Sequence, residues 1–117
     1  MKALLINPVD KTVTEIDIKG NLQSFYDVIG CDYIESGFTY PNGDFLYWDE
    51  EGKFNEEKIE GAFYYPSWSD VIIGKSIVTR CNSQGNGTNC KSKPSDILNY
   101  EGGIQWLKKD EAKQYSL

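Results

Sequence analysis

The stretch Tyr33 to Gly52 constrains the fold most, because Asn42-Gly43 sits between two aromatic-rich runs and that pairing is a strong β-hairpin signal. Pro41 decides which turn forms. A two-residue type I′ loop would place Pro41 at the last paired position, where a backbone N–H is needed and proline has none. A type I turn with Pro41 first, Asn42 second and Gly43 in the left-handed region suits all three residues. It ends in a bulge and pairs Tyr40 with Asp44. Counting outward, Phe38 faces Leu46, Gly37 faces Tyr47 and Ser36 faces Trp48. One face then carries Ile34, Phe38, Tyr40, Leu46 and Trp48 and is assigned to the core. The other carries Glu35, Gly37, Thr39, Phe45, Tyr47 and Asp49, with Tyr47 lying over the bare backbone of Gly37.

The remaining elements are read around this hairpin. Ala3-Leu4-Leu5-Ile6 is a short buried strand, followed by a turn at Asn7-Pro8 and an alternating, half-solvated strand from Thr12 to Ile18. Leu22, Phe25, Tyr26 and Ile29 recur at helical spacing, with Asn21 as N-cap and Gly30 as the residue that stops the helix. Cys31 behind it reads as a small buried hydrophobe. A helical turn is expected within residues 55–60. Gly61 to Asp70 has no clean period and reads as an aromatic loop. Val71 to Thr79 reads as one long strand bent at Gly74. Arg80 to Lys93, rich in Gly, Asn and Ser, reads as a mobile loop or a long hairpin tip. Pro94 to Asn99 starts a short helix ended by Gly102-Gly103, Ile104 to Leu107 is a last strand or apolar anchor, and Asp110 to Tyr115 is a weak terminal helix.

Composition narrows the function classes. A chain of 117 residues suits one domain, residues 1–117, with a core adequate without staples. Sixteen aromatics argue against disorder. A net charge of −6 disfavours direct binding to a nucleic-acid backbone. No apolar run approaches the roughly 18 residues that span a bilayer, and no secretion signal is visible at Met1-Lys2, so the expected location is the cytoplasm. The Asn86-Gly87-Thr88 glycosylation pattern carries no weight in that setting. Three cysteines do not make a secreted disulfide scaffold.

Histidine is absent, which removes Ser-His-Asp and Cys-His catalysis and the commonest metal ligand. Glu50 and Glu51 are adjacent and would point apart in a strand, so they read as a solvated turn. Asp44, Asp49 and Glu51 lack the spacing of a calcium loop. Cys81 and Cys90 bracket a Gly-rich loop and would reach each other for a disulfide if strands rise from its base, but a reducing cytosol favours free thiols. Gly85-Asn86-Gly87 lacks the spacing of a phosphate-binding loop. Neither a metal nor a cofactor is expected. The aromatic stretch Phe63 to Trp68 is the most useful candidate. Exposed beside Lys75 and Arg80, Tyr64, Tyr65 and Trp68 would stack a base or clamp an apolar side chain. Otherwise these rings cap the open end of the sheet. Tyr47 and Asp49 on the outer hairpin face complete the candidate binding set.

The runs Met1-Lys2-Ala3-Leu4-Leu5-Ile6-Asn7-Pro8, Val13-Thr14-Glu15, Ile29-Gly30-Cys31-Asp32-Tyr33-Ile34-Glu35, Asp49-Glu50-Glu51-Gly52-Lys53 and Ile73-Gly74-Lys75-Ser76-Ile77-Val78 resemble a family of small proteins of unknown function. Its members occur in phages, plasmids and integrated elements, often of Gram-positive bacteria. The resemblance spans about residues 1 to 80 and is weaker around the Cys81–Cys90 loop. It implies a phage or mobile-element accessory protein in the host cytoplasm and carries over no catalytic residue.

The expected architecture is a small single α+β domain: a mostly antiparallel sheet with one helix, 22–29, packed on it and short C-terminal helices. The leading functional expectation is a non-enzymatic protein that binds and inhibits a host or defence-system protein, with no membrane or direct nucleic-acid partner. The alternative is a small-nucleotide-binding, signal-sequestering domain that uses the aromatic loop with Lys75 and Arg80.

Overall fold

The computed structural model describes all residues from Met1 to Leu117 and is a small α+β domain. Its first sheet contains β1 (Lys2–Asn7), β2 (Thr12–Asp17), β3 (Ile34–Glu35), β4 (Phe45–Asp49) and β7 (Ser76–Cys81). Their order is β2-β1-β7-β4-β3, all antiparallel, with the short β8 (Gly87–Thr88) hairpinned onto β7. A second sheet, β6-β5-β9, is built from β5 (Gly61–Tyr64), β6 (Ile72–Ile73) and β9 (Gln105–Lys108). No helix is long and apolar enough to cross a membrane.

The two sheets pack face to face. Leu4, Ile6, Leu46 and Val78 of the first meet Phe63, Tyr65 and Ile72 of the second, with Ile97 of α2 (Pro94–Leu98) in the same cluster. The helix α1 (Leu22–Ile29) covers the other face of the first sheet through Phe25 and Ile29, against Ala3 and Ile77. Its ends follow the sequence reading: the Asn21 side chain accepts from the Ser24 amide at 2.9 Å, and the Gly30 amide donates to the Tyr26 carbonyl. Behind the second sheet, Ala112 of α3 (Lys109–Lys113) packs on Ala62 and Ile73. The 55–60 segment holds a single 3-10 turn, Glu56–Lys58.

The hairpin tip has the expected geometry. The Tyr40 amide donates to the Asp44 carbonyl at 2.7 Å, the Gly43 amide donates to the Tyr40 carbonyl, and Gly43 has φ 94°, a left-handed value that favours glycine. The Leu46 amide donates to the Phe38 carbonyl at 3.1 Å, so Phe38 and Leu46 do face each other. Further out the register slips by one residue. Glu35, not Ser36, pairs with Trp48, and Ile34 pairs with Asp49. A one-residue slip turns every side chain beyond it to the other face. Ile34 therefore leaves the inter-sheet core and packs with Phe25, Ile29 and Tyr47 beneath α1, while Phe38, Tyr40, Leu46 and Trp48 share the inner face. Trp48 rather than Tyr47 covers Gly37: a Cβ there would lie 3.3 Å from its ring.

Two other expectations change. The 61–70 segment is a loop only from Tyr65 on: Gly61–Tyr64 is the central strand of the second sheet, and Phe63 and Tyr65 are fully buried. Residues 71–79 are not one strand. Gly74, at φ 80°, passes the chain from β6 in the second sheet to β7 in the first. Burying Phe63 and Tyr65 contributes roughly 1.5–3 kcal/mol each.

The Arg80–Lys93 segment is a hairpin tip and its return. Cys81 pairs with Gly87 across β7 and β8, and the Cys90 amide then bonds to the Lys2 carbonyl. All three thiols are free, with Cys81 exposed and Cys90 buried. Burial pushes the Cys90 thiol up, and burial together with nearby Asp49 pushes Cys31 up to about 11. The thiolate is the reactive form. A thiol-reactive chromophore under native conditions is therefore expected to modify Cys81 first and Cys90 only as the chain unfolds. Equal rates at the two sites would contradict the burial of Cys90.

Candidate functional site

The inner hairpin face and the turn after β5 enclose a groove of about 550 Å³. This lies within the range of sites that hold a small ligand or a few side chains. Its aromatic walls are Phe38, Trp48, Phe54 and Trp68. The Trp48 indole N–H donates to Glu35 at 2.8 Å, a bond that the shifted register makes available by placing the two residues opposite each other. The Trp68 amide donates to the Tyr65 carbonyl at 2.9 Å, closing the turn that swings Trp68 back over the sheet. Its ring stands edge-on to Phe38 at 5.0 Å and to Tyr65 at 5.1 Å. Phe54 on the rim remains 64% exposed. Beside it Leu117 is also exposed and its amide donates to the Lys53 carbonyl.

The charged residues of the groove are Glu35, Asp49, Glu50, Lys53 and Asp70. Lys53 is paired with Asp70, and its hydrogen bond holds the Asp70 carboxyl below the usual range. Glu35 and Glu50 have no basic partner, while Asp49, paired with Ile34, turns its carboxylate to the α1 face near Cys31. The groove therefore combines aromatic walls with uncompensated negative charge.

Of the residues singled out from sequence, Trp68 and Asp49 line this groove. Tyr65 is fully buried, its hydroxyl 2.8 Å from that of Tyr40 and donating to the Ile97 carbonyl at 2.6 Å. Burial pushes Tyr40 well above the usual tyrosine range and Tyr65 up to about 12. Tyr64 lies on the far side of the second sheet against the cluster that includes Ala112. Tyr47 packs under α1, its ring 5.0 Å from Phe25. Lys75 lines a separate, smaller depression of about 330 Å³ that also includes Lys58 and Asp49. Arg80 is held at the hairpin turn, donating to the Asn42 carbonyl at 2.7 Å and to Asp44 at 3.0 Å. The aromatic stretch and the two cations are therefore not assembled into one site.

Asp44 is fully buried and cannot serve as a surface cation ligand. Its carboxylate accepts from Arg80, from the Lys91 and Ser92 amides and from the Ser92 hydroxyl. Burial pushes its pKa up, but the bonds from Ser92, Arg80 and Lys91 outweigh that and hold it below the ordinary value. No three Cys, Asp or Glu side chains converge to hold a metal ion.

Sequence reasoning missed Trp48, Phe38, Phe54, Glu35, Glu50, Lys53 and Asp70 as groove residues. Glu35 and Trp48 as cross-strand neighbours would have been a signal, but only with the correct outer register.

A family model for a domain of unknown function, DUF3846, matches residues 1–102. The chain belongs to that family. The DUF3846 match runs through the Cys81–Cys90 segment, beyond the residues that carry the resemblance in sequence, and stops before β9 and α3. No curated protein and no solved structure matches.

Proposed function

We propose that the chain is a non-enzymatic binding protein that grips a partner protein in the groove between its two sheets. The single observation that supports this reading best is the combination, at one place, of aromatic walls and carboxylates without basic partners. Partly exposed aromatic side chains in a concave patch are the usual anchors of protein interfaces. The sequence offers no histidine and no nucleophile–base pair for chemistry. The resemblance to proteins of phages and mobile elements supplies the setting, in which the partner is a host or defence-system protein and binding inhibits it.

The nucleotide-sequestering reading stands second. It needs a cation free to meet phosphate beside an aromatic ring. Arg80 is engaged by Asp44, Lys53 is paired with Asp70, and Lys75 lies outside the groove.

Affinity capture from a bacterial host tests the proposal. Phe54→Ser and Glu50→Lys are the comparison variants, because both side chains are exposed and neither change should disturb the core. The same protein is expected to be captured by the native chain and reduced at least about tenfold by either variant, and its activity should fall as stoichiometric chain is added. Equal capture by all three would remove the groove from the interface. A rise in Tm with cyclic or linear nucleotides would promote the second reading.

A further inference from the structure

The groove's charge balance narrows what it takes. Resting on the binding reading above, we infer that the occupant is an extended segment of a partner protein that carries arginine or lysine beside an apolar side chain. Three carboxylates, Glu35, Glu50 and Asp70, line the groove against one cation, Lys53, which Asp70 already holds. Glu35 and Glu50 have no ion pair within the chain. An acidic or phosphorylated segment would meet repulsion there, and a neutral one would leave the carboxylates' field unused. A guanidinium or ammonium answers both features of the groove: it satisfies carboxylate oxygens and packs on aromatic rings, and the half-buried Trp48 and Trp68 line the groove. Phe54 and Leu117, exposed to 64% and 81% on the rim, provide the apolar contact beside it. An apolar side chain next to a cation covers this rim while the charge reaches the carboxylates.

The test uses the full chain and three sets of short synthetic peptides. Arginine alternates with leucine in the first, glutamine replaces arginine in the second, and glutamate replaces it in the third. Binding is read by calorimetry and by tryptophan fluorescence. The arginine set is expected to bind, more weakly as salt is raised. The glutamine set should bind about tenfold or more weakly, and the glutamate set not at all. Glu50→Lys should weaken the arginine peptides about tenfold, whereas Glu15→Lys, the same charge change on the distant β2, should leave them within about twofold. Two results would overturn the inference and leave the groove reading intact: glutamine peptides as tight as arginine peptides, or equal weakening by Glu50→Lys and Glu15→Lys, which reports only the net charge. Failure of every peptide set to bind would overturn both.

Discussion

Replacing Asp44 with alanine is expected to lower the unfolding free energy by about 3–5 kcal/mol, the usual result of breaking a buried charge cluster from one side. The reason lies in what this carboxylate joins. It is fully buried at the hairpin turn and receives Arg80 from β7 and the backbone and hydroxyl of Ser92 from the segment leading into α2. Removing it leaves the Lys91 and Ser92 amides without their acceptor and the Arg80 guanidinium with only the Asn42 carbonyl. Asp44→Asn keeps the shape but loses the charge, and should cost less than alanine. The pH dependence follows from the lowered pKa. The folded state holds the proton less tightly than the unfolded chain, whose aspartate titrates near about 3.9. The contribution is thus fully present above that value and is lost as pH falls from it through the folded pKa. Urea unfolding of native chain and Asp44→Asn should differ most near neutral pH and converge below about pH 4. A difference that persists unchanged into acid would assign the effect to packing rather than charge.

Tyr65→Ala is expected to cost about 3–5 kcal/mol, as for other large aromatic deletions in a packed core. The ring is fully buried between the sheets and stands against Phe38, Tyr40, Trp68 and Tyr100 at centroid distances of 5.0–6.3 Å. Tyr65→Phe separates the two contributions. It keeps the ring and removes only the hydroxyl that reaches the Ile97 carbonyl and Tyr40, at a cost of about 1–3 kcal/mol. The double variant Tyr40→Phe/Tyr65→Phe should cost less than the sum of the singles, because the second change removes a group already left unpaired. Chemical denaturation of the four proteins measures this. Strict additivity would show that the two hydroxyls are not coupled.

Local signals were legible in the sequence where chemistry acts over a few residues. Asn21 and Gly30 marked both ends of α1, and Pro41-Asn42-Gly43 selected the turn and its bulge. What was not legible depends on non-local pairing. Nothing near residue 36 announces the slip that carries Ile34 to the α1 side and brings Glu35 opposite Trp48. Tyr64 and Tyr65 are adjacent, yet one faces the α3 side and the other the inter-sheet core, because they continue a central strand that has no polar face and therefore no period to read. Gly74 was recognised as a bend, but a bend within one strand and a crossing between two sheets have the same local sequence. The groove inherits these difficulties, since its lining comes from the shifted hairpin, the β5–β6 turn and the segment after β4. Arg80 looked free because its partner, Asp44, is 36 residues away.

Site-specific photo-crosslinking in host cells tests most directly whether a partner occupies the groove. Benzoylphenylalanine is placed either at Phe54, 64% exposed on the groove rim, or at Leu22, 56% exposed on α1 and outside the groove. A discrete crosslinked protein is expected from position 54, diminished by Glu50→Lys in the same chain, and absent from position 22. A crosslink of equal yield from position 22, or one from position 54 that Glu50→Lys leaves unchanged, would contradict the groove as the binding site.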